Sequence, residues 1–195
     1  GIRIGNGSSD CAITNSAIHD ISSSGIFIGN NTGHNHGYCD PGTDVTGVVV
    51  RNNYITRTGL DIFGSSAICA LYTSDTVIDH NEVCYTTYTG ISLGWGWDWK
   101  NAPCSGNNTV SNNYIHDTGK TIHDGGSFYS LGLQEGTKVF GNYLHHHSDG
   151  LYDKDGGLYT DEGSTGMELY NNVVGGRRSG RPTSRTATGT TTSIL

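Results

Sequence analysis

The sequence predicts an all-β protein folded as a right-handed parallel β-helix of about six rungs. Three observations predict it. A motif of the form apolar-x-x-Asn-x-apolar recurs along the chain, a short second strand motif alternates with it, and the segments between them vary in length. Self-similarity at this spacing marks an architecture built by stacking one unit on the next.

The first motif reads "VRNNYI" (50–55), "IDHNEV" (78–83), "VSNNYI" (110–115), "VFGNYL" (139–144) and "LYNNVV" (169–174). A degenerate copy, "ITNSAI" (13–18), carries Ser16 where the others align Asn53, Asn81, Asn113, Asn142 and Asn172. The second motif reads "GIRIG" (1–5), "GIFIG" (25–29), "AICAL" (67–71), "GISLG" (90–94), "SFYSL" (127–131) and "GLYTD" (157–161). Units recur at intervals of roughly 23 to 42 residues, with the variation confined to the connecting segments, as when insertions map to loops. Two or three inward apolar residues per strand cannot bury a core alone. Stacked rungs can, and they give each strand a parallel neighbour. An Asn at one fixed position would then bond from rung to rung as a ladder. A leucine-rich repeat would need far more Leu, and a propeller would need antiparallel blades.

Composition agrees. Gly supplies 30 of 195 residues, hydrophobic residues 33%, and there are only 3 Pro and 1 Met. Turn-formers and β-branched residues dominate over helix formers. The formal net charge of −7 leaves no basic face for a phosphate backbone, so nucleic acid is not an expected partner. No apolar run approaches the ~20 residues that cross a bilayer, so no membrane partner is expected either. The repeat occupies 1–174. The tail "GGRRSGRPTSRTATGTTTSIL" (175–195) changes composition and loses alternation, and is read as a disordered or non-native extension. Gly1 opens inside a strand motif with no candidate cap before it, so the chain reads as a piece of a longer solenoid. The five cysteines, Cys11, Cys39, Cys69, Cys84 and Cys104, match no zinc or disulfide framework. Cys39 and Cys104 fall in loops and could pair, but free or buried thiols are the favoured reading.

Alternation along the second motif places Ile26, Ile68, Ile91, Phe128 and Leu158 inward, and Phe27, Cys69, Ser92, Tyr129 and Tyr159 outward. Gly29, Leu71, Gly94, Leu131 and Asp161 should also point outward. Tyr129, Tyr159 and Asp161 would thus share one solvent-facing floor. The long loops 30–44, 95–108, 116–126 and 145–157 adjoin this strand and would wall a cleft above it. Trp95, Trp97 and Trp99 crowd one of them, with Asp98 between. Aromatic faces stack on the apolar faces of sugar rings, so at least one Trp is expected to touch sugar; packing over the sheet edge is the alternative.

Glycoside hydrolysis needs two carboxylates, ~5.5 Å apart for retention or ~6.5–9.5 Å for inversion. Asp124 precedes one floor strand and Asp161 ends the next, so adjacent rungs can deliver such a pair. Glu162 follows as a third acid. Asp-Gly is also ordinary turn chemistry, the reading given to Asp153 and Asp155. His116, His123, His145, His146 and His147 cluster in the same loops without a strong zinc spacing. They are read as contacts to substrate hydroxyls, His116 and His123 first, or as plain surface histidines. No metal and no other cofactor is expected.

The runs "YTGISLGWGWD" (88–98), "NYIHDTG" (113–119), "DGGSFYSLG" (124–132) and "GGLYTDEGSTG" (156–166) resemble bacterial right-handed β-helix proteins, nearest to glycoside hydrolase family 141, which includes α-L-fucosidase and xylanase activities. The resemblance covers about 1–174. It implies a retaining-type pair of aspartates, carried onto Asp124 and Asp161. It also implies an extracellular or periplasmic enzyme acting on plant or microbial polysaccharide; a monomer is expected. Past "LYNNVV" the family continues with further rungs, where this chain enters its tail. Two other readings stay open: a polysaccharide lyase, for which the floor lacks an evident cationic cluster, and a non-catalytic carbohydrate-binding or structural β-helix.

Overall fold

Strands with so few inward residues must stack to be stable, and the described residues build six stacked rungs. A computed structural model describes residues 1–5, 7–29, 44–96, 104–148 and 156–175, together with the backbone of 191–194. The first rung holds β1 (Ile2–Ile4), β2 (Ala12–Thr14) and β3 (Ala17–Ile21). The second holds β4 (Ile26–Gly29), β5 (Val45–Thr46), β6 (Val49–Arg51) and β7 (Tyr54–Thr58). The third holds β8 (Ile68–Leu71), β9 (Thr73–Ser74), β10 (Val77–Asp79) and β11 (Glu82–Cys84). β12 (Ile91–Gly94), β13 (Thr109–Ser111) and β14 (Tyr114–His116) form the fourth. β15 (Gly126–Leu131), β16 (Leu133–Phe140) and β17 (Tyr143–His145) form the fifth. The sixth has β18 (Gly156–Thr160) and the long β19 (Thr165–Gly175).

Like strands of successive rungs pair in parallel and make three faces. The first runs β1-β4-β8-β12-β15-β18. The second runs β2-β6-β10-β13-β16-β19 and the third β3-β7-β11-β14-β17-β19, with β19 bending through both. β5 and β9 add a narrow two-stranded strip between the first and second faces. A further strand, β20 (Thr191–Ile194), lies parallel to β19, so part of the tail runs beside the last rung.

The register confirms the alternation read from the second motif. Ile26, Ile68, Ile91, Phe128 and Leu158 are paired column neighbours, and so are Phe27, Cys69, Ser92, Tyr129 and Tyr159. The second face sends Ile13, Val50, Ile78, Val110, Val139 and Leu169 inward. The third sends in Ile18, Ile55, Val83, Ile115 and Leu144. These columns meet in one continuous buried core. Each fully buried Ile or Leu contributes about 1.5–3 kcal/mol, which is what holds rung to rung.

The Asn motif does two jobs at the corner between the second and third faces. Asn15, Asn52, His80, Asn112, Gly141 and Asn171 take positive φ between 52° and 67°, turning the chain. Asn suits this region because its short side chain bonds locally. The next residue is the ladder. The amides of Asn53, Asn81, Asn113 and Asn142 donate to the side-chain oxygen one rung on, at 2.9–3.0 Å, ending at Asn172. Each also donates to a backbone carbonyl one rung back, for example Asn113 to Ile78 at 2.9 Å. All five are buried, so the amides satisfy one another rather than water. In the first rung, where Ser16 stands in the Asn place, its backbone N–H donates to the Asn53 side-chain oxygen at 3.0 Å.

A second buried polar column, absent from the sequence-based expectation, runs beside the narrow strip. Thr73 bonds Thr76 and the Val45 carbonyl, and Asn108 receives the Thr76 N–H. The Thr137 hydroxyl in turn receives the Asn108 N–H. The cysteine expectation needs one correction. Cys104 is disulfide-bonded, while Cys11, Cys69 and Cys84 are free; Cys39 lies outside the described residues. Burial pushes the Cys69 thiol up to about 12.

Candidate active site

The first face carries two neighbouring rungs that read almost alike, and the site is built where they touch. Tyr129 and Tyr159 are register partners on β15 and β18, with rings stacked at 5.5 Å and 11°. Their hydroxyls reach the acids in a crossed pattern. Tyr129 donates to Oδ2 of Asp161, one rung on, at 2.7 Å, and Tyr159 donates to Oδ1 of Asp124, one rung back, at 3.2 Å. Two aspartates 37 positions apart in sequence are therefore tied to one pair of stacked rings.

Each acid is held at its backbone as well. The Asp161 N–H donates to the Ser130 carbonyl at 2.9 Å, and its own carbonyl accepts from Ser164 in the following turn. Asp124 sits in the left-handed region at φ 67°, and its carbonyl accepts the Tyr88 hydroxyl at 2.9 Å. The two glycines after it are required by space. A Cβ on Gly125 would stand 2.7 Å from the Thr89 hydroxyl, and one on Gly126 would stand 2.4 Å from the Phe128 carbonyl. That close fit lets Asp124 lie against the start of β15.

The floor differs from expectation in one respect. Tyr129 and Tyr159 point away from the core, yet they are only 8% and 5% exposed. With Leu131 they form a small apolar cluster outside the first face, and Trp95 packs on it. Trp95 also packs on a second outer cluster of Leu71, Tyr72 and Cys104. It is thus a bridge between two patches of the floor, the packing role weighed against sugar contact. Burial raises the Tyr129 hydroxyl pKa first, and the bonded Asp161 carboxylate raises it further, so Tyr129 remains a neutral donor. Asp161 is half-buried and Asp124 exposed, so both acids are open to solvent on the outer side of the first face.

Of the other expected site residues, Glu162 is exposed in the turn after Asp161, where its carbonyl accepts from Gly132. His123 is half-buried beside Asp124 in sequence. His116 belongs elsewhere: it ends β14 on the third face, stacked on Tyr114 and bonded to Asp117 and Glu82. Trp97, Asp98 and Trp99 lie outside the described residues, as do Asp153 and Asp155. Tyr88 was missed by sequence reasoning. Its signal is positional, because it precedes the "GISLG" strand on the rung just before Asp124.

With this geometry in view, three comparisons bear on the chain. The family described as "Right handed beta helix region" matches residues 1–174. A solved structure titled "Glycoside hydrolase" is similar at 31% identity and a TM-score of 0.83, over 89% of this chain. The chain spans 31% of that protein's length. Among curated proteins no match is found.

Proposed function

This chain belongs to the right-handed β-helix family, and from that premise we propose that it is a carbohydrate-active protein, a glycoside hydrolase using Asp124 and Asp161. The carrying observation is the crossed bonding of these acids to the Tyr129–Tyr159 stack on adjacent rungs of one face. The likeness to the solved glycoside hydrolase supports the reaction class.

Two carboxyls on either side of a glycosidic bond divide the work. One protonates the departing oxygen, while the other attacks the anomeric carbon or activates water against it. Asp161 suits the second role. One of its oxygens is held by the neutral Tyr129 donor, which fixes the carboxylate plane and leaves the other oxygen for the sugar or water. Asp124, exposed and held more loosely at 3.2 Å, suits the acid. The substrate is a plant or microbial polysaccharide, reached outside the cell, and the chain acts as a monomer.

A panel of such polysaccharides incubated with the protein tests this reading. New reducing ends without unsaturation support hydrolysis. Products bearing a new carbon–carbon double bond mark elimination by a lyase, and binding without turnover marks a non-catalytic module; either result sinks the hydrolase assignment.

A further inference from the structure

The third face carries a second cluster of chemistry, outside the site described above. Glu82 and Cys84 lie two apart on β11 and so project to the same outer side. His116, on β14, is the register partner of Cys84. One ligand atom from each, the Glu82 carboxylate, the Cys84 thiol and a His116 ring nitrogen, lies within 4.8 Å of the others. We propose that these three residues form a binding site for a zinc-type divalent transition ion.

Four observations carry it. The His116 Nε2 to Glu82 Oε1 distance is 3.4 Å. That is long for a hydrogen bond, but two ligands each ~2.0–2.1 Å from a tetrahedral zinc stand ~3.3–3.4 Å apart. The other ring nitrogen of His116 is already engaged, its Nδ1 bonded to Asp117 at 2.9 Å. A carboxylate on one imidazole nitrogen fixes the tautomer and turns the other nitrogen, with its lone pair, toward a metal. Asp117 is itself anchored by Lys120 at 2.9 Å. The ring plane is held too, by Tyr114 at 4.3 Å on one side and His145 at 5.2 Å. Finally, the donor set is one thiol, one imidazole and one carboxylate, which selects zinc and its neighbours over magnesium or calcium.

Cys84 is fully buried and His116 nearly so, while Glu82 is half-exposed. Ion and solvent therefore enter past Glu82. Three protein ligands leave a fourth position for water. The Cys84 thiol now contacts the Thr56 hydroxyl at 3.4 Å, and would turn from it to meet the ion at ~2.3 Å.

The full chain, stripped with a chelator and titrated with cobalt chloride, tests the site. The expected result is one equivalent bound with a thiolate-to-cobalt charge-transfer band, displaced by zinc chloride. Cys84→Ser should abolish the band. Asp117→Asn should weaken zinc binding about 10- to 100-fold. Absence of the band in the native chain, or its survival in Cys84→Ser, overturns the proposal. Should Cys84→Ser fail to fold, Glu82→Gln decides: the half-exposed Glu82 can change without disturbing the core. A loss of zinc affinity of tenfold or more supports the site, and unchanged affinity overturns it.

Discussion

Tyr129 is the residue on which the candidate site turns. Its ring packs with Leu131, Tyr159 and Trp95, while its hydroxyl donates to Asp161. Tyr129→Phe keeps the packing and removes the bond. A hydrogen bond to a charged partner is worth about 1.5–3 kcal/mol. We therefore expect kcat/KM to fall roughly 10- to 100-fold, with thermal unfolding shifted by only a few degrees. Unchanged kinetics would show that Asp161 needs no such support. The acid itself was legible in sequence, because Asp161 breaks a column otherwise filled by Gly29, Leu71, Gly94 and Leu131. The crossed hydroxyls were not. Alternation says only that a tyrosine points outward; which acid it meets depends on the rung above and the rung below. Nor could alternation say that Trp95 would cover the tyrosines.

At the scale of the element, the Asn ladder and its neighbouring acid decide how rungs are coupled. Asn113 donates to Ile78 and Asn142 and accepts both the backbone and the side-chain N–H of Asn81. Asn113→Ala would leave several buried polar groups without partners. We expect a loss of about 3 kcal/mol or more, read from the denaturation midpoint. Asp79 couples three rungs from the surface, accepting from Arg51 on one side and from Ser111 and Asn112 on the other. Partial burial would raise its pKa, but bonds from Ser111, His80 and Asn112 outweigh this and hold it at about 2, against 3.8 unperturbed. The folded chain thus binds this proton less readily than the unfolded chain. Its stabilisation is complete above about pH 4 and is lost as pH falls through 2. Asp79→Asn should accordingly lose less stability between pH 6 and pH 2.5 than the native chain does. The ladder was readable because one residue type recurs at one position. The Thr73–Thr76–Asn108–Thr137 column was not, because Thr and Asn alternate there and no fixed letter repeats.

Across the whole molecule, a solenoid assembles its sites in columns. Residues about 30 apart in sequence become neighbours one strand spacing apart, ~4.8 Å. Spacing rules for metal ligands look along the chain. That is why neither the cysteines nor the histidines showed a zinc spacing in the sequence, and why His116 was grouped with the loops beside a different face. The same geometry made the fold easy to read. Six copies of one strand pattern fix register, direction and core together, and the structure follows them from Ile2 to Gly175. It also makes the two acids a unit, since each is tied to the other's rung through the paired tyrosines.

That unity is open to one direct measurement: kcat/KM for Asp124→Asn, Asp161→Asn and the double variant on a polysaccharide that the native protein cleaves, with circular dichroism confirming the fold. Each single variant should lose about 1,000-fold or more, and the double should lose little beyond the worse single, as groups acting together do. Undiminished hydrolysis in either single variant would contradict the assignment.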